Sequence, residues 1–398
     1  MNAVAQYIKK AGLFRPREKF LILELTSSGT NGLFLGVDEE KNIIVEKLAK
    51  DIDLKKFFHS PLRRVTQQSW EGEYFFKSHR KVIAVADADI ATTIPIPLTL
   101  HREREAVNDQ IFLPELENLV AQAMGKIFNQ CRTEAAARLR IDELDAVLVG
   151  AKAKHFKVGK HSVVNPVGFT DKTISLLLEL TFTSRATFES LQQFFNAPED
   201  FFFAEAPQVR LSSLSRARKL PINLISPARD GTSLFVLEKA KDEYPVLYRE
   251  KFAWSFDPLF RRIAARMGVS EAAACDLYDL YARRGMSETA ARVFKNMIDP
   301  VVKELFAEIE KGKLKGFVYI EALHALPFEL PRKKDGVVFE GLPLDEILQD
   351  LGFAEIKGKS LPATVLARYL FPFVEAYFDK TTSDINQKLR RRLHWLTK

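Results

Sequence analysis

Two short stretches contain residue types that could meet a phosphate. Glu24-Leu25-Thr26-Ser27-Ser28-Gly29 puts a carboxylate ahead of a Ser/Gly turn, and Ser226-Pro227-Ala228-Arg229-Asp230-Gly231-Thr232 repeats the theme later in the chain. A phosphate cradle needs glycine, because backbone N–H groups must approach the anion closely. It also needs a carboxylate to hold magnesium, directly or through water. On that chemistry Glu24 is the candidate metal-side carboxylate. Ser27, Ser28, Gly29, Asp230, Gly231 and Thr232 are candidates for two polar turns around a nucleotide. The same residues also suit ordinary hairpin turns, where Ser, Gly and Asp serve backbone conformation alone.

No other catalytic constellation competes. The seven histidines show no HExxH spacing, and neither a Walker A, a GxGxxG nor a GxSxG pattern occurs. Cys131 and Cys275 are isolated, with no CxxC or Cys/His ligand spacing, so neither a disulfide scaffold nor a zinc ribbon is expected.

The elements that would position these turns can be read from hydrophobic period. Residues 20–25, 32–37 and 42–48 read as three strands joined by tight turns, an antiparallel meander. Residues 81–86 form another apolar strand, and Pro95 and Pro97 mark an extended segment. Helical spacing runs over 113–140, followed by strands at 146–150 and 173–183 and a helix at 186–195. Strands are expected again at 222–226, 233–237, 244–252 and 317–320. Helices are expected at 257–267, 270–283, 287–311, 344–351 and 362–378. Residues 49–80 show no clear period.

The chain has 398 residues, of which 46% are hydrophobic, which suffices for two or three packed domains. A net charge of +7 favours an acidic partner: anionic lipid, nucleic acid or an acidic protein. Nucleic acid is the least expected of these, since no RNP-like motif, zinc finger or helix-turn-helix occurs. The first 14 residues lack a secretory h-region, and no run of about 18 apolar residues suggests a membrane span.

The middle of the chain resembles a known family. Between residues 146 and 195 come a strand, a basic turn, Asn165-Pro166-Val167-Gly168, a long strand and a helix. This order is similar to the SHS2 insert of the FtsA family of bacterial cell-division proteins, which have the actin-like ATPase fold. The related pilus-assembly protein PilM is the second choice. The resemblance extends over roughly residues 20–378 and is most specific around 163–180. It implies an α/β, actin-like (ribonuclease-H-like) two-lobed fold with a small inserted subdomain. The implied divisions are an N-terminal basic segment at 1–19, a first lobe at 20–80 and an SHS2-like insert at 81–195. A return to the first lobe follows at 196–220, then a second lobe at 221–380 and a basic amphipathic tail at 381–398.

The chain departs from the family at each nucleotide loop. Thr26 stands where Gly is usual, Ser226 where the second Asp is usual, and Glu321-Ala322 where a Gly pair is usual. The resemblance therefore implies ATP with magnesium as the only cofactor, at a degenerate site with little or no hydrolysis.

The family also implies a C-terminal membrane helix. In SDINQKLRRRLHWLTK, Ile385, Leu389, Leu393 and Leu396 share one side, with Trp395 at its edge and Arg392 intruding; Arg390 and Arg391 supply cations. Leu389, Arg390, Arg391, Leu393, Trp395 and Leu396 are thus candidate membrane residues. A frayed basic tail, or a helix docked on the body, is the alternative. Val4, Tyr7, Ile8 and Ala11 give the N-terminus a second candidate face. Together these readings predict a cytoplasmic adaptor, peripheral to the inner membrane face. It would tether a division filament or other cytoskeletal protein to anionic lipid and self-associate. A pilus-assembly scaffold or a working actin-like ATPase are the rivals.

Overall fold

The computed structural model describes residues 18–26, 29–49, 52, 81–102, 109–192, 201–227, 231–239, 244–282, 284–312, 314–321, 333–334, 337–382, 385–386 and 388–389. The chain divides into two compact units. The first comprises Met1–Arg210, Leu348–Leu361 and Tyr369–Lys398; the second comprises Leu211–Ile347 and Pro362–Arg368.

In the first unit, β1 (Glu18–Thr26), β2 (Gly29–Val37) and β3 (Ile43–Ala49) form the expected antiparallel meander. The β2–β3 turn is closed by Asp38, whose carboxylate accepts hydrogen bonds from the Asn42 and Glu40 backbone and from the Asn42 amide. β4 (Lys81–Ala86) then pairs parallel to β1, and β9 (Phe201–Glu205) pairs parallel to β4. With β16 (Ile356–Gly358) beside β3, the sheet order is β16-β3-β2-β1-β4-β9. β1 is central and buried along most of its length, which is why FLILEL is a continuous apolar run rather than an alternating one. Gly358 has φ +95, and a Cβ there would lie 2.3 Å from the Val45 carbonyl oxygen, so only glycine lets β16 approach β3.

A four-stranded antiparallel sheet is inserted between β4 and β9. Its order is β5 (Ala91–His101), β8 (Thr173–Ser184), β6 (Ala146–Val158), β7 (His161–Ser162). Pro95 and Pro97 fall on β5, an edge strand, where a missing N–H costs no ladder bond. Helix α1 (Leu113–Leu139) covers this sheet, burying Leu116, Val120, Met124, Cys131 and Ala135 against Leu176, Leu178 and Phe182. Helix α2 (Arg185–Gln192) ends the insert, and α3 (Ala206–Ala217) follows β9. No helix was expected at 206–217.

In the second unit, β10 (Ile222–Pro227), β11 (Thr232–Lys239) and β12 (Pro245–Phe252) form another meander. β13 (Gly316–Ile320) is parallel to β10, and β15 (Val337–Phe339) is parallel to β13, with β14 (Lys333–Lys334) at the edge. The order β12-β11-β10-β13-β15 matches β3-β2-β1-β4-β9 strand for strand, in sense as well as position. Two copies of one meander-plus-crossover sheet in a single chain make this the actin-like two-lobed α/β fold. Helices α4 (Asp257–Met267), α5 (Glu271–Ala282) and α6 (Glu288–Lys311) pack around Trp254, Phe256, Phe260 and Tyr278. Ser287 caps α6 by accepting from the Ala290 N–H. Helices α7 (Leu344–Asp350) and α8 (Ala363–Thr382) complete the described elements.

Three expected boundaries move. Residues 81–86, assigned to the insert, are a strand of the first sheet, because an all-apolar run suits a parallel strand covered on both faces. Residues 348–361 and 369–380, assigned to the second lobe, belong to the first unit, where β16 extends its sheet. The stretch at 381–398 is no free tail at its start. Ile385 and Leu389 lie in the insert's core, and the Asn386 amide accepts from Ala153 N–H (2.8 Å) and donates to Ala153 C=O (3.3 Å).

Candidate functional site

In sheets of this kind, ligands meet the carboxyl ends of the parallel strands. In the first unit that edge is formed by the ends of β1, β4 and β9, which present Glu24 and Glu205. Glu24 is buried to 1% exposure, and the Arg210 guanidinium, on α3, donates to it at 2.6 Å. Arg210 is itself 4% exposed on its side chain. Two full charges withdrawn from water persist only when paired, so each holds the other in place. A magnesium-side carboxylate must offer oxygen to the cation or its waters. Here a guanidinium of this same chain already neutralises that oxygen.

Thr26, at the end of β1, donates its hydroxyl to the Gly29 carbonyl at 2.9 Å and so closes the hairpin on itself. Gly29, paired with Thr26 and at φ 144, opens β2 in a conformation only glycine adopts easily. Glu205, which composition did not single out, accepts from the Thr93 N–H at 2.6 Å and ties β9 to β5. Glu179, on β8, takes Lys154 at 2.8 Å and the Gln208 amide at 2.8 Å. The N-terminal end of α3 therefore reaches two buried carboxylates: Glu179 through Gln208 and Glu24 through Arg210.

In the second unit the corresponding edge carries Thr232 and Glu321. Thr232 is buried and its hydroxyl donates to the Trp254 carbonyl at 2.8 Å. Glu321, at the end of β13, is buried with Arg368 at 3.4 Å. Gly231 has open space around its Cβ position and opens β11. Both acidic strand ends, Glu24 and Glu321, thus meet an arginine of their own unit.

Of the seven nucleotide candidates, Glu24, Gly29, Gly231 and Thr232 are described, and Glu24 and Thr232 are engaged internally. Ser27, Ser28 and Asp230 lie outside the described residues. Among the membrane candidates, Leu389 is 0% exposed within the insert's core, so it belongs to the fold and leaves the amphipathic face. Leu389 and Ile385 lie one helical turn apart, and both are buried in that core. Arg390, Arg391, Leu393, Trp395 and Leu396, and the N-terminal face at Val4–Ala11, lie outside the described residues. Arg210 was missed because nothing local marks it: it lies 186 residues from Glu24 in sequence. Among the described residues no cluster of three or more His, Cys, Asp or Glu could hold a metal, and no helix is long and apolar enough to cross a membrane.

No family model matches the chain, and no curated protein does. Solved structures similar to it include the PilM–PilN type IV pilus biogenesis complex, at 16% identity and TM-score 0.47, covering 91% of this chain and 99% of that one. A Bacteroides thetaiotaomicron protein with actin-like ATPase fold and unknown function is 10% identical, with TM-score 0.34 and coverage of 89% and 95%. The Acidaminococcus fermentans (R)-2-hydroxyglutaryl-CoA dehydratase component A is 9% identical, with TM-score 0.38 and coverage of 91% and 99%.

Proposed function

We propose that this chain is an actin-like scaffold that works without hydrolysing ATP and holds a partner protein, as an FtsA-like adaptor does. The observation that carries this reading is the buried Glu24–Arg210 pair at 2.6 Å. A cation built into the chain stands against the carboxylate that would otherwise face magnesium. Thr232 supports the same reading, since its hydroxyl is committed to Trp254. A pilus-assembly scaffold of the PilM kind fits the same fold and the same closed carboxylate; it differs in taking a peptide of a membrane protein instead of a division filament.

The test is thermal unfolding with and without ATP and magnesium. A ligand present at about 100 times its dissociation constant adds about 2.7 kcal/mol to the state that binds it. The expected result is an unchanged melting temperature and no phosphate release. A magnesium-dependent rise would overturn the reading.

A further inference from the structure

The insert exposes three large apolar side chains at one end: Phe112 at 59%, Val164 at 80% and Phe169 at 47%. They come from two separate segments that the backbone ties together. Ile111 N–H donates to the Phe169 carbonyl at 2.8 Å, and Gly168 N–H donates to the Ile111 carbonyl at 2.9 Å. Phe112 ends the first segment at the N-cap of α1, and Val164 and Phe169 flank the Asn165-Pro166-Val167-Gly168 turn in the second. The core does not need them. Their neighbours Ile111, Leu113, Val163 and Val167 are the ones packed into it. Exposed apolar groups gathered at loop tips mark an interaction surface rather than scattered surface hydrophobes.

The rim is basic. Lys160, His161 and Lys172 are exposed on the β6–β7 turn and just before β8, beside this end. Among the described residues the acids there include Asp109, which is exposed, and Asp171, whose carboxylate accepts the Thr173 N–H and hydroxyl. Glu115 is held by Arg102, and Glu117 by Lys388 at 3.1 Å. Lys388 also fixes where the chain leaves the described fold: against the second turn of α1, whose start is Phe112. Among the described residues the exposed charged side chains of this end are thus two lysines, with His161 beside them, against one aspartate, the balance that an anionic surface attracts.

We infer that this end of the insert is a membrane-contact tip. Phe112, Val164 and Phe169 enter the headgroup–acyl boundary of an anionic bilayer, and Lys160, His161 and Lys172 face its phosphates. The inference is independent of the nucleotide reading. It moves the expected membrane contact from the tail to the insert.

Co-sedimentation of the full chain with vesicles of mixed phosphatidylglycerol and phosphatidylcholine tests it, with pure phosphatidylcholine as the comparison. Wild type is expected to bind the anionic vesicles preferentially. The triple variant Phe112→Ser/Val164→Ser/Phe169→Ser should lose about tenfold or more in binding. Lys160→Ala and Lys172→Ala should each lose about fivefold, and more weakly at high salt. A chain truncated after Leu389 should retain the dependence on the three apolar residues. These variants change exposed side chains only, and their melting temperatures should match wild type. The inference is overturned if wild type ignores anionic vesicles, or if the triple variant binds as well as wild type. It is equally overturned if sedimentation velocity shows a dimer that the triple variant abolishes, because a second copy then covers the patch.

Discussion

Glu24 shows how one residue can look like machinery and act as structure. A carboxylate at the end of the first strand of an actin-like sheet suggests a magnesium site, yet its oxygen meets Arg210 in a buried pair. Removing one partner from such a pair takes a counter-ion from a buried charge, so Arg210→Ala should destabilise the protein by about 3–5 kcal/mol. Glu24→Gln combined with Arg210→Met should recover most of that loss, as replacing both charges leaves none uncompensated. A denaturant titration following the first unit's transition measures both. A double variant as unstable as Arg210→Ala would contradict the pairing. Asp38 gives a pH-dependent case. Burial raises its pKa, but hydrogen bonds from Asn42 and Glu40, with the Lys357 charge, outweigh that and hold the carboxyl below its ordinary range. A carboxyl lowered on folding stabilises above its unfolded pKa and loses that contribution as pH falls through the folded one. Asp38→Asn should therefore cost about 1–2 kcal/mol at neutral pH and progressively less as pH falls below about 4. An equal penalty at pH 3 and pH 7 would contradict the ionised-state account. Residue types at Glu24 and Asp38 were legible in the sequence. Their partners were not: Arg210 is contributed by a helix 186 residues on from Glu24, and the Asp38–Asn42 contact, four residues apart, shows only in the folded turn.

At the scale of elements, hydrophobic period carried most of the reading. The meander, α1, β8 and α6 fall within a few residues of where spacing put them, since each is long and strongly patterned. The failures share a cause. β4 was assigned to the wrong sheet and β16 was not expected at all, because pairing partners are chosen by tertiary context. The start of the C-terminal stretch is the clearest example: the spacing of Ile385 and Leu389 correctly marks one apolar helical face, but spacing alone does not say what covers it. The insert's sheet covers it, with Asn386 standing in for a neighbouring strand at Ala153. Leu389→Ala should accordingly cost about 2–5 kcal/mol, read as a lowered unfolding transition of the insert. A loss below 0.5 kcal/mol would mean that Leu389 is not part of the core. Any experiment that deletes the chain from residue 380 removes this packing as well as the tail, so a cut after Leu389 is the informative one.

For the whole molecule, the repeated order β3-β2-β1-β4-β9 and β12-β11-β10-β13-β15 defines the actin-like architecture without reference to any ligand. Each copy ends a parallel strand, or its central one, in a buried acid facing an arginine of the same unit: Glu24 with Arg210, Glu321 with Arg368. Glycine-poor loops and internally neutralised carboxylates support the proposed reading, a frame that holds its shape without nucleotide. The measurement that tests this most directly is isothermal titration of the protein with ATP and magnesium, run alongside the thermal unfolding experiment. We predict no saturable heat and no shift in melting temperature. Saturable, magnesium-dependent binding that raises the melting temperature, and that Glu24→Gln abolishes, would show that the Glu24 carboxylate serves a cation after all.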